Sequence, residues 1–245
     1  MRPIFVFCMV SVSIVPSAPA SAQSDLGDLA TATGGALGVL GAAVGLDKLL
    51  ATKLNYVDVT KFDVAGVKLE MTPDQVREAL RAKGFTPRAT DPTQQDWTAR
   101  VSEAVANRRG GTRTAGKIPN FTMASGSQGE HIEVWYAVTP TGPVAASVKY
   151  LMPTNRMTRA AFIQSIRSRY GRSTTSDPIR ALYCGKADGK CVAWENPVDP
   201  RLAVELDYSN YEINLRQGSK FSSRLNADMT AAIEKAAPKD AKASF

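Results

Sequence analysis

An internal repeat constrains the fold of this chain more than any other feature of its sequence. Residues 71–83, which begin Met-Thr, align with residues 157–169 at a constant offset of 86, with three identical and six similar positions. A period of this length is typical of a duplicated structural unit. The alternative is a chance likeness between two amphipathic helices.

The first copy carries clear signals for a helix. Thr72 suits the N-cap, Pro73 suits the first helical position, and Gln75 completes a capping box. Gly84 follows, where helices commonly end in a left-handed residue. Apolar positions recur on one face of the segment, at Val76, Ala79 and Leu80.

Segments with the composition of strands surround the two helices. One stretch, at 56–59 and 62–69, precedes the first helix. The others follow the helices, at 120–124, 131–138, 144–151, 181–184, 191–194, 202–207 and 212–215. Further helices are predicted over 94–107 and 227–237.

These patterns predict an α+β fold in which two related units, each a helix laid on an antiparallel sheet, follow one another in tandem. The first unit spans 55–152, and the second spans 153–245 and contains a disulfide hairpin. A signal peptide (1–22) and a Gly/Ala-rich leader (23–54) precede them.

The N-terminal residues predict export. Arg2 is followed by a short apolar region at 4–15, and Ala20-Ser21-Ala22 is a small-x-small cleavage site. The alternative is an uncleaved membrane anchor, but Pro16 interrupts the apolar run well before the roughly 20 residues that a span requires. We expect cleavage near Ala22 and a periplasmic mature protein.

The leader contains an uncharged segment, residues 29–46, with five glycines. Gly34 and Gly38, like Gly41 and Gly45, have the spacing of close helix contacts in lipid. Three interpretations stay open: an unpacked leader, a helix docked on the chain's own domain, or a segment for membrane contact or self-association. The oligomeric state also stays open.

Cysteine usage agrees with export. Cleavage leaves Cys184 and Cys191, and an even pair in an exported protein predicts a disulfide. A redox-active pair is the disfavoured alternative, because six residues separate these cysteines instead of the two of a Cys-x-x-Cys motif. Three cysteines and one histidine in all exclude the usual zinc-finger and zinc-hydrolase ligand sets, and no metal or cofactor is predicted.

One group of residues has the composition of a catalytic site. Strand alternation places His131, Glu133 and Trp135 on one face, where the carboxylate could orient or protonate the imidazole. His131 and Glu133 are therefore the candidate catalytic residues of an envelope hydrolase, although no nucleophile motif accompanies them. The alternative is a surface histidine beside an acidic neighbour.

Basic charge is concentrated between residues 149 and 180, with seven basic residues against Asp177 alone. Arg167, Arg169 and Arg172 are candidate contacts for an anionic envelope polymer. The alternative is a solvated helix face. Nucleic acid is not expected as a partner after export.

Two neighbouring aromatic residues, Trp135 and Tyr136, are candidates for partner binding. Adjacent strand residues point to opposite faces of a sheet, so one ring must leave the core unless both faces are covered. An exposed aromatic ring on a sheet is a plausible recognition spot.

A short pattern, Val67-x-Leu69-x-Met71-Thr72-x-x-x-Val76-x-x-x-Leu80, resembles the strand, Met-Ser/Thr and helix signature of small envelope modules of the SmpA/OmlA type. Tandem copies of similar modules occur in β-lactamase-inhibitor-like proteins. The chain departs from this family at Glu70, where a glycine usually precedes the methionine, and it lacks the lipid-bearing cysteine. The resemblance implies a non-catalytic binding scaffold and assigns no particular contact residue.

The sequence therefore predicts an exported binding or envelope-scaffold protein that is not an enzyme. Its expected partner is an envelope protein or an anionic envelope polymer. The alternatives are the hydrolase with His131 and Glu133, and an oligomer that contacts the membrane through residues 29–46.

Overall fold

The structure is a computed structural model that describes residues 54–237 apart from 89, 91, 112–116 and 190. The predicted signal peptide and all but the last residue of the predicted leader lie outside the described residues. So do the predicted contacts of residues 29–46.

Four α-helices are present in the described residues. They are α1 (Pro73–Ala82), α2 (Trp97–Arg108), α3 (Arg159–Tyr170) and α4 (Ser219–Ala236). Short 3-10 helices span Val59–Lys61, Thr154–Arg156 and Lys186–Asp188. None of these helices is long and apolar enough to cross a membrane.

Ten strands complete the α+β fold, which confirms the predicted fold class. They are β1 (Thr86–Arg88), β2 (Pro92–Gln95), β3 (Lys117–Pro119), β4 (Phe121–Ser125), β5 (His131–Thr139), β6 (Gly142–Pro153), β7 (Thr175–Ser176), β8 (Arg180–Cys184), β9 (Arg201–Leu206) and β10 (Asn210–Arg216). Eight form one sheet in the order β1-β4-β5-β6-β10-β9-β8-β7, and β2 pairs with β3. Every pairing is antiparallel.

The strand order of the large sheet is mirrored about its central pair. Four strands that follow α1 run in the order β1-β4-β5-β6, and four that follow α3 run back in the order β10-β9-β8-β7. The last strands of the two groups, β6 and β10, pair from Ser147 with Arg216 to Pro153 with Asn210. Two helix-then-four-strand segments thus share one sheet.

Helices α1 and α3 begin in the same way. The hydroxyl of Thr72 accepts a hydrogen bond from the Gln75 N–H at 3.4 Å, and that of Thr158 accepts from the Ala161 N–H at 3.2 Å. In α1 the predicted capping box is complete. Apolar positions 86 residues apart are buried in both helices: Val76 and Leu80 in α1, Phe162 and Ile166 in α3.

Both helices pack on one side of the sheet, which we call the helix-bearing face. Its core combines their apolar side chains with those of the central strands, including Val134, Val148 and Leu215. Phe162 of α3 stacks on Tyr211 of β10, with ring centroids 4.5 Å apart. Burial of this face accounts for most of the favourable energy of folding.

The stretch at 56–59 and 62–69 does not form the predicted strand. It contains a 3-10 helix and then a tight turn in which Val64 and Val67 exchange two backbone hydrogen bonds. Ala65 and Gly66 have φ of 52° and 85°, and two consecutive residues of positive φ reverse the chain within two residues. The prediction was wrong because apolar composition alone does not distinguish a strand from such a turn.

Three further element predictions need correction. Helix α2 begins at Trp97 instead of residue 94, because Asp96 caps it and residues 94 and 95 belong to β2. Helix α4 begins eight residues earlier than predicted. Residues 191–194 form no strand, because the Arg201 guanidinium donates to the Val192 and Glu195 carbonyls and holds this segment as a loop.

Candidate functional site

A disulfide closes the loop between β8 and β9. Cys184 and Cys191 are bonded, with Cα atoms 6.0 Å apart, which confirms the predicted bridge. The sulfurs are buried beside Leu182, with Ala193 and Ala203 packed around them. This burial agrees with a structural role for the bridge.

The side of the sheet opposite the helix-bearing face carries polar side chains in its centre. We call it the open face and define it by His131, Glu133, Trp135, Lys149 and Glu212. Cross-strand register places Glu133 opposite Lys149, and the Lys149 ammonium lies 3.1 Å from a Glu212 carboxylate oxygen. Most of the charged groups of this face therefore pair with one another.

Trp135 is the exposed aromatic residue of the open face. Its side chain is 45% exposed and packs on Phe121 of β4, with ring centroids 5.0 Å apart. A register shift follows directly after it, because Trp135 pairs with Ser147 while Tyr136 pairs with Ala145. Such a bulge bends the strand and changes the direction of nearby side chains.

Tyr136 lies on the helix-bearing face and is only 6% exposed. Its hydroxyl and that of Thr122 share a hydrogen bond of 2.7 Å. Burial raises the pKa of Tyr136 above its usual value. Of the two predicted aromatic candidates, Trp135 is thus the one that a partner can reach on this surface.

His131 and Glu133 contact each other on the open face, where both side chains are half-buried. The His131 Nε2 atom lies 3.2 Å from a Glu133 carboxylate oxygen. Ser125 stands opposite His131 in the register of β4 and β5, but no hydrogen bond joins their side chains in the described structure. The carboxylate can therefore orient the imidazole and its proton. The pair lies on the surface of a sheet, however, and no activated nucleophile is adjacent to it among the described residues.

The predicted basic residues lie elsewhere in the fold. Arg167 and Arg169 belong to α3, and Arg172 follows that helix. The Arg169 guanidinium pairs with Asp63 and stacks near the Tyr170 ring, 5.6 Å from its centroid. The structure therefore does not bring these arginines together with Trp135.

A cleft of about 440 Å³ opens on the helix-bearing face between α3, the turn at Val64 and Ala65, and the residues Lys83 and Phe85 that follow α1. Its lining is largely apolar, and Lys83, Glu130 and Arg169 also line it. Burial raises the pKa of Tyr150 to about 12 and that of Tyr170 to about 12. Sequence patterns gave no signal for this cleft, because its walls come from segments far apart in the chain.

A second concave surface of about 680 Å³ lies between α2, α4 and the sheet, with Arg100 and Arg216 in its lining. Nothing in the sequence connects Arg100 to Arg216, because they lie on elements far apart in the chain. Within the described residues, no cluster of three His, Cys, Asp or Glu side chains could hold a metal ion.

Comparison of the chain with protein-family models, with curated proteins and with solved structures gives no match. The fold and the site define the protein as an α+β protein with a disulfide-closed loop and an exposed aromatic residue on an open sheet face.

Proposed function

We propose that the protein is an exported, non-catalytic binding protein that recognises a protein partner through the open face. The observation that carries this proposal is the 45% exposure of Trp135 on the eight-stranded antiparallel sheet. A half-exposed ring that already packs on a neighbouring ring of the sheet gains hydrophobic free energy when a partner covers it.

The surroundings of Trp135 resemble the organisation of a binding hot spot. Aromatic anchors at protein interfaces are commonly ringed by side chains that contribute little energy but exclude water. Here Phe121 supports the ring from the neighbouring strand. The His131–Glu133 and Lys149–Glu212 pairs lie on the same face, so a partner could cover them without leaving either pair with an isolated charge.

Export is part of the proposal. The disulfide between Cys184 and Cys191 is stable in oxidising compartments and rare in the cytosol. The segment at 1–22 has the organisation of a secretory signal. Together they support a periplasmic location for the mature protein.

We also propose that the two helix-then-four-strand segments descend from a tandem repeat. The constant offset of 86 in sequence, the two threonine caps and the mirrored strand order support this history. The resemblance to SmpA/OmlA-type modules points to the same class of binding scaffold. Glu70, which replaces their usual glycine, has φ of 67°, a conformation that favours glycine.

The test compares three forms of the tagged protein in capture from gently solubilised cell envelopes: the natural chain, Trp135→Ala and Trp194→Ala. Trp194 is 84% exposed and lies in the disulfide loop away from β5, so it is the matched control. We expect the natural chain to capture one stoichiometric partner that stays bound at high salt. Trp194→Ala should retain this partner, and Trp135→Ala should reduce its recovery at least tenfold. Equal recovery of the partner with Trp135→Ala contradicts the proposal.

A hydrolase that uses His131 and Glu133 is the second candidate, favoured by their 3.2 Å contact. A broad screen of ester, amide and glycoside substrates tests it directly. Turnover that His131→Ala abolishes and Trp135→Ala leaves intact would replace the binding proposal. Absence of turnover in that screen removes this candidate.

A further inference from the structure

The groove between α2 and α4 combines a long apolar wall with guanidinium groups. Four side chains of α4 recur every fourth residue along its wall: Phe221, Leu225, Met229 and Ile233. Residues at this spacing share one helix face, and the stripe extends for about 18 Å at 1.5 Å per residue. Trp97 of α2 lines the same groove, so its shape suits an elongated apolar chain.

Two arginines line the groove without a carboxylate partner in the described structure. Arg100 donates only to neutral oxygens, the Gln95 carbonyl at 3.2 Å and the Gln94 side chain at 3.4 Å. Arg216 makes no side-chain hydrogen bond or ion pair with any described residue. None of the described residues that line the groove is acidic.

The position of Arg216 gives the groove a polarity. Arg216 is the last residue of β10, and two residues separate it from the start of α4. Its side chain is therefore at the N-terminal end of the α4 stripe. Ile233 lies near the other end of the same helix. A ligand with one anionic end and an apolar tail would match this arrangement from end to end.

We propose that the α2–α4 groove binds a free fatty acid, with its carboxylate on Arg216 and Arg100 and its acyl chain along the α4 stripe. Guanidinium groups bind carboxylates through paired, charge-assisted hydrogen bonds. The groove volume of about 680 Å³ lies within the range of small-molecule sites. The groove adjoins the open face, because Ser147 lines it and stands opposite both Trp135 and Arg216 in the strand register. The ligand proposal rests on the groove residues alone and does not depend on the proposed function.

Trp97 provides a local reporter of binding. The chain holds three tryptophans, and replacing Trp135 and Trp194 with phenylalanine leaves Trp97 as the fluorescent residue of the groove. The purified protein with these two replacements is titrated with dodecanoate below its micelle concentration. We expect a saturable change in Trp97 emission, and binding of 1-dodecanol that is at least tenfold weaker.

Variants of the groove test the assigned contacts. Arg216→Gln and Arg100→Gln should each weaken dodecanoate binding, with a loss of at least tenfold for Arg216→Gln. Leu225→Glu places a carboxylate in the apolar stripe and should abolish binding. Arg81→Gln, an exposed arginine of α1, is the control and should leave the affinity unchanged. Thermal melting of each variant verifies that it is folded.

Several outcomes would overturn the proposal. They are the absence of saturable binding, equal affinity for dodecanol and dodecanoate, or unchanged affinity in Arg216→Gln. Binding of dodecyl phosphate at least tenfold tighter than dodecanoate would reassign the site to a lipid phosphate. If a chain truncated after Ala237 binds dodecanoate and the full chain does not, the occupant of the groove is the chain's own segment 238–245 and not a fatty acid.

Discussion

The buried ion pair of Asp188 and Arg201 should be the most costly single contact to break in the disulfide loop. Both side chains are almost fully buried, at 0% and 2% exposure, and their nearest charged atoms lie 3.7 Å apart, too far for a hydrogen bond. Asp188 accepts hydrogen bonds from the N–H groups of Val198 and Asp199. The guanidinium of Arg201 donates to two carbonyls of the loop at 2.8 and 3.0 Å.

Replacement of Arg201 by methionine keeps much of the side-chain volume and removes the charge. It leaves the Asp188 carboxylate buried without a counter-charge, a defect that typically costs about 3–5 kcal/mol of folding free energy. The two carbonyls also lose their charged donor. In a domain of this size, such a loss lowers the melting temperature by roughly 10 °C.

Urea denaturation at neutral pH, followed by circular dichroism, measures the effect. Arg180→Met is the matched control, because Arg180 forms a partly exposed pair with Glu205 at 2.9 Å and such pairs contribute about 0–1 kcal/mol. The double variant Asp188→Asn with Arg201→Met should be less destabilised than Arg201→Met alone, since no unpaired charge remains and the side-chain oxygen at position 188 still accepts from the Val198 and Asp199 N–H groups. A loss below about 1 kcal/mol for Arg201→Met would refute the reasoning.

Three further predictions address the bridge, the backbone and the buried tyrosines. Replacing Cys184 and Cys191 with alanine should cost about 2–3 kcal/mol in urea unfolding; a smaller loss means that the loop is held without the bridge. At position 70, where φ is 67°, glycine should be more stable than alanine by about 1 kcal/mol, and a preference for alanine contradicts this. Burial raises the pKa values of Tyr150 and Tyr170 from 10 to about 12. The two protonated tyrosines therefore make their full contribution to the free energy of unfolding below pH 10, and this contribution is lost between pH 10 and 12. These two groups should lower the stability by up to about 2.7 kcal/mol per pH unit, and Tyr150→Phe should reduce the slope by up to about 1.4 kcal/mol per pH unit; an unchanged slope is evidence against the assignment.

Local chemistry made part of the fold predictable from the sequence. Thr72, Pro73 and Gln75 specify the start of α1 through contacts within one helical turn, and the structure contains each of them. The disulfide followed from the compartment and the even cysteine count. Strand alternation placed Trp135 and Tyr136 on opposite faces, but it did not specify which of the two faces is covered.

Other features depend on contacts between distant segments and were therefore not predictable. The turn at Ala65 depends on two positive φ values in an apolar stretch. Residues 191–194 have strand composition, and yet the Arg201 guanidinium holds them as a loop. The α2–α4 groove requires Arg100 and Arg216, which no local pattern connects.

The central claim, recognition of a partner through the open face, is tested most directly by photo-crosslinking in the cells that produce the protein. A photo-reactive phenylalanine analogue is placed at position 135 and, in a separate control, at position 194. We predict one discrete crosslinked adduct from position 135, identifiable by mass spectrometry, and none of the same mass from position 194. Absence of an adduct at position 135, or the same adduct from both positions, would contradict the account.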